Sequence, residues 1–157
     1  MNFGKHAILS NSIAILYWVI GWVILGPQGS PLNFVSLFTF SLPDVDLKTV
    51  LGDPTKNKSK HRHWFWHGAF IPMVVFFLGF TSPDHIFSVG VFCISYGMHL
   101  IGDLKIGSSC KRGTYLIFKR KGDRMSRRNT DIYLCLNAFL CIAASIVALY
   151  IANIYKL

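Results

Sequence analysis

Three groups of residues in this chain have the types and spacing for metal chemistry. Asp44 and Asp46 lie two positions apart, directly after Pro43. His61, His63 and His67 follow beyond a polar, basic loop, and His63 and His67 are spaced i,i+4. His99 and Asp103 have the same spacing, which puts them on one helix face. Neutral imidazole with carboxylate suits zinc first, and manganese or iron where carboxylates dominate. Taken singly, each pair also reads as a hydrogen-bonded structural pair. Together with His6 they exceed the four ligands of a closed zinc site, which points to two ions, or to one ion with outer partners. Two metals ~3.5–4 Å apart suit phosphoester hydrolysis. An Asp or His left over from ligation, with Asp44 and His61 as the candidates, serves as general base. Arg62, inside the histidine cluster, offers a guanidinium fork for phosphate or carboxylate.

The elements that must position these groups are apolar. Of 157 residues, 52% are hydrophobic and only 15% charged, against ~25% in soluble domains. A single domain spanning 1–157 is expected, and an all-α integral membrane bundle is its fold class. Ala7 to Leu25 is uncharged and long enough for a spanning helix of ~20 residues. A signal peptide is the competing reading, but no small-x-small cleavage site follows. Leu32 to Leu42 is a short second apolar run, closed by Pro43, that crosses only if tilted or extended. Trp64 to Phe80, Ile86 to Leu104 and Ile132 to Ile154 complete four long spans and one short one.

Charge placement sets the expected orientation. Fourteen of the sixteen Lys and Arg lie either in Lys48 to Arg62 or in Lys105 to Arg128. Two long spans separate these loops, so both fall on one side, the cytoplasmic one by the positive-inside rule. The net charge of +9 then reads as a topology signal and as attraction to anionic headgroups. Nucleic acid is not an expected partner, because no basic groove interleaved with aromatics is visible. If Leu32–Leu42 crosses, then His6, Asp44, Asp46, His61, His63, His67, His99 and Asp103 meet at one membrane depth. His85 falls on the opposite side as a plain turn residue. The second basic loop contains a β-prone run, Thr114 to Phe118, which reads either as a hairpin over the site or as a loop at the headgroups. The four cysteines form no CxxC pair and read as buried thiols.

These motifs resemble a known family. The run Pro43-Asp44-Val45-Asp46, then His61-Arg62 with His67, then His99 to Asp103, after an N-terminal His6, is similar to the membrane-bound metal-dependent hydrolases, small bacterial inner-membrane proteins. Their pattern is an N-terminal His, P-D-x-D, an H-R-x-x-T-H-S-like block and H-x-x-x-D. Pro43-Asp44-Val45-Asp46 and His99 to Asp103 fit directly. The middle block has a shifted spacing, with Trp66 where Thr is common and Gly68 where Ser is usual, and either His61 or His63 stands for the family histidine. The match covers roughly the first two thirds of the chain, and the last span carries no motif.

The resemblance implies a multi-pass inner-membrane hydrolase with its site facing the cytoplasm. On this reading His6, Asp44, Asp46, His63, His67, His99 and Asp103 are metal ligands, while Asp44, His61 and Arg62 do chemistry. The expected cofactor is one or two divalent ions, zinc first. The expected substrate is a membrane-associated, anionic, phosphorylated or ester-bearing lipid-like molecule. A metal-ion or proton-coupled transporter, and a protein with a purely structural metal, are the rival classes.

Overall fold

The computed structural model describes residues 3–26, 67–81, 83–106 and 126–155. Among these the chain is helical, with no strand: α1 spans Phe3–Leu25, α2 Phe70–Gly79, α3 Ile86–Ile106 and α4 Arg127–Tyr155, and a 3-10 turn, Pro83–His85, precedes α3. The all-α expectation holds for these residues. The short run Leu32–Leu42 and the Thr114–Phe118 run lie outside them.

Local chemistry explains where the helices stop and start. Gly26, at φ 81, ends α1 by donating its N–H to the Trp22 carbonyl at 3.0 Å. That left-handed position is one that glycine adopts without strain. Ser126 opens α4 by accepting from the Asn129 amide on its Oγ at 3.2 Å, an N-cap that starts the helix before the apolar run begins. At the end of α2, Thr81 donates its hydroxyl to the Leu78 carbonyl at 2.6 Å. A Cβ on Gly79 would stand 3.0 Å from Val89, so glycine is what lets α2 close onto α3 here.

The run that begins at Trp64 behaves differently from expectation. Residues 67–69 form a turn, and the helix starts only at Phe70. Pro72 accounts for this. Proline has no N–H and is tolerated only in the first helical turn, so the helix cannot begin far upstream of it. The ten residues of α2 cover ~15 Å, half the hydrocarbon thickness. Two helices, Ile86–Leu104 and Arg128–Tyr155, are long and apolar enough to cross a membrane, while Asn11–Leu25 and α2 are shorter apolar helices.

Among the described residues, α3 is the central helix. Tyr96, Leu100, Val91 and Ile86 on it are fully buried, and α1, α2 and α4 all pack against it. The Tyr17 and Phe87 rings stack at 5.8 Å, and Tyr17 donates its hydroxyl to the Ser145 carbonyl at 2.5 Å, tying α1 to both α3 and α4. Gly97 lets α4 approach closely, since a Cβ there would meet Cys141 at 3.0 Å and the Ala138 carbonyl at 3.2 Å. The outer helices expose their large apolar side chains: Val23 and Leu16 on α1, Phe77 and Leu78 on α2, Phe139 and Tyr150 on α4. Among the described side chains of α3, no large hydrophobic is exposed. Large apolar side chains exposed along the outer helices, with His99, Asp103 and Ser145 buried, suit an apolar solvent. Cys93 and Cys141 are buried free thiols as expected, but Cys135 is exposed. It lies on the outward face of α4 beside Leu136, where helical rotation turns it away from the small-residue face that meets α3.

Candidate metal centre

Histidine and aspartate converge at one end of the bundle. His99 and Asp103 lie in the last turns of α3, one helical turn apart. The tight α2–α3 connection makes these helices antiparallel neighbours. The turn just before α2 is thereby carried to the level of the last turns of α3, and it brings His67. The three side chains are 0%, 2% and 2% exposed for His67, His99 and Asp103, figures that mark an interior group rather than a surface cluster.

The geometry suits a shared ion. The His67 Nε2 lies 3.3 Å from Asp103 Oδ2, and the His99 Nε2 lies 3.7 Å from the same oxygen. One ligand atom from each residue can be chosen so that all lie within 4.8 Å of one another. Two nitrogen or oxygen ligands at ~2.0–2.1 Å from a tetrahedral ion stand ~3.4 Å apart. The observed separations bracket that value and exceed the ~2.7–2.9 Å of a charge-assisted hydrogen bond. The two imidazole rings are tilted by 57° with centroids 6.1 Å apart, so they converge on a common point rather than stack. Burial of a carboxylate is costly unless it is paired or bound to a metal, and here two imidazoles face it. The residues present therefore fit a divalent ion.

The helix α1 approaches the same end. It runs antiparallel to α3, with Tyr17 against Gly90 and Gly21 against Phe87. At ~1.5 Å per residue, the backbone of His6 stands ~17 Å from Tyr17, and His99 stands ~14 Å from Gly90 in the same direction. The backbone at residue 6 thus reaches the level of His99. Asp44, Asp46, His61, Arg62 and His63 lie outside the described residues. His85 is exposed in the 3-10 turn at the far end of the bundle, away from the cluster.

One residue at the site carried no motif. Asn137 of α4 accepts the Ala69 N–H on Oδ1 at 2.7 Å and donates Nδ2 to the Tyr133 carbonyl at 2.6 Å. Its signal in the sequence is an amide side chain within a long apolar run, a feature it shares with Asn153. Comparison with family models, with curated proteins and with solved structures finds no match for this chain.

Proposed function

We propose that the protein is a membrane-embedded, metal-dependent hydrolase of the membrane-bound metal-dependent hydrolase type. It acts on an anionic, phosphorylated or ester-bearing lipid-like substrate at the cytoplasmic face of a bacterial inner membrane. The observation that carries this reading is the buried His67–His99–Asp103 group at one end of an apolar-surfaced helical bundle. In this reading α1, α3 and α4 are the long crossings, α2 and Leu32–Leu42 are short ones, and the distribution of basic residues sets the orientation. His67, His99 and Asp103 hold the metal, with His6, Asp44, Asp46 and His63 as further ligands. Zinc matches the donor set best. When bound, a divalent metal supplies Lewis acidity and generates a nucleophile from water at neutral pH. Arg62 holds the anionic group of the substrate, and Asp44 or His61 takes a proton from the attacking water.

A direct test is release of phosphate or fatty acid by the purified, metal-loaded protein across lipid classes. Hydrolysis of at least one class, abolished by chelator and restored by metal, is the expected result. No hydrolysis of any class by metal-loaded protein would contradict it.

Burial of all three side chains also favours a second reading, in which the ion only pins the α2 turn to α3. A structural ion contributes folding free energy outright, so chelation would then collapse the melting transition in detergent. Under the hydrolase reading the helices satisfy their own backbones in lipid, and the melt depends little on metal.

A further inference from the structure

The His67 side of the centre depends on a helix start that cannot cap itself. Residue 69, at the N-cap of α2, is an alanine, which has no side-chain oxygen to offer the exposed amides of the first turn. The described residues immediately upstream of the helix are the turn 67–69, and the N-cap of α2 offers no side-chain hydrogen bond to fix the direction in which His67 leaves it. The acceptor for the N-cap residue's own amide comes from another helix. Asn137 Oδ1 takes the Ala69 N–H at 2.7 Å, two residues along the chain from His67. The amide is itself held, because its Nδ2 donates to the Tyr133 carbonyl one turn back on α4 at 2.6 Å. Both ends of the amide are therefore engaged and its rotamer is fixed.

The placement of Asn137 matches that role. The close approach of Gly97 to Ala138 and Cys141 sets the antiparallel register of α3 and α4. That register puts residue 137 level with Leu100, beside His99 and within a turn of Asp103. An amide at this depth of an apolar span is costly unless it serves structure or function. The α4 helix supplies none of the three ligand side chains, yet it grips the backbone that presents one of them.

We propose that Asn137 is a positioning residue of the metal centre, setting the His67 turn against His99 and Asp103 through the Ala69 amide. The inference rests on the metal-binding half of the proposed function and is independent of the substrate. An acceptor at position 137 is what the centre needs. Asn137→Asp keeps one, and its charge suits the positive N-terminus of α2. Asn137→Leu removes it at similar volume.

The test compares wild type, Asn137→Asp and Asn137→Leu, purified in detergent. Each is titrated with Co²⁺ and Zn²⁺ against a competing chelator, and each is melted without metal. Losses of ~10–100-fold are usual when an outer partner of a metal ligand is removed. The expected result is a loss of that size for Asn137→Leu, with an altered Co²⁺ ligand-field spectrum, and near wild-type affinity and spectrum for Asn137→Asp. A lower metal-free melt in Asn137→Leu with unchanged affinity and spectrum would overturn the proposal and leave the metal centre standing. Equal losses in both variants would overturn it as well, because an acceptor alone would not be what matters. Absence of saturable binding by the wild type would remove the metal centre and this inference together.

Discussion

Each end of the bundle carries histidine next to aspartate, and the two ends could hardly differ more. At the α2–α3 connection, Asp84 and His85 sit in a 3-10 turn and both are exposed. At the other end, His67, His99 and Asp103 are withdrawn from solvent and converge within 4.8 Å. Adjacency in sequence produces nothing at the first end. At the second, residues far apart in sequence are brought together by the α2–α3 hairpin, against a central helix whose described large apolar side chains are not exposed. The lesson is that residue type marks candidates, while burial and convergence of separate elements mark a site. An exposed ion pair contributes ~0–1 kcal/mol, whereas removing one partner of a buried one costs ~3–5 kcal/mol.

That contrast can be broken at either end, and the largest effect belongs to Asp103. Asp103→Asn keeps the shape but removes the charge that faces both imidazoles. It is expected to lower metal affinity by more than ~100-fold in a competition titration, beyond the range for outer partners. Affinity within a few-fold of wild type would mean that Asp103 is not a ligand.

Arg62 tests function apart from metal. A guanidinium cannot ligate a metal, so Arg62→Ala is expected to retain wild-type metal content and melting. Lipid hydrolysis should fall by ~100-fold, the scale of a lost contact to transition-state charge. Unchanged hydrolysis would take Arg62 out of the site.

A smaller effect sharpens the comparison from the middle of α3. A side chain at Gly90 would press on the Tyr17 hydroxyl and Ala148, where α1 and α4 meet α3. Gly90→Leu is therefore expected to destabilise the bundle by ~1–3 kcal/mol, read as a lower melting temperature in detergent. Metal bound per folded chain should not change, since this contact lies several turns from His99. Loss of metal at intact folding would show that the centre depends on packing far from it.

The smallest effect is at the far end. His85→Ala and Asp84→Asn replace exposed side chains, and both should stay within ~0.5 kcal/mol of wild-type stability with full metal content.

Much of this was legible in the sequence, for definite physical reasons. Long apolar runs announced α1, α3 and α4, and the i,i+4 spacing of His99 and Asp103 announced their shared face. His67 belonged with them through the expected gathering of helix ends, and the hairpin supplies that meeting. The start of α2 was misjudged because hydropathy continues through Trp64 to Phe80 while Pro72 restricts the helix start. The outward turn of Cys135 was hidden because an apolar run alone does not say which face is buried. Asn137 was hidden because its partner is a backbone amide, and backbone partners leave no pattern in side-chain spacing. Asp44, Asp46, His61, Arg62 and His63 lie outside the described residues, so their place in the site rests on the motifs.

The most direct test of the central claim is the metal content of the purified chain, measured by elemental analysis in wild type, His67→Ala, His99→Ala and His85→Ala side by side. The account predicts at least one divalent ion per wild-type chain, the same content in His85→Ala, and loss of that ion in both His67→Ala and His99→Ala. A wild type without metal, or four proteins with equal content, would contradict it.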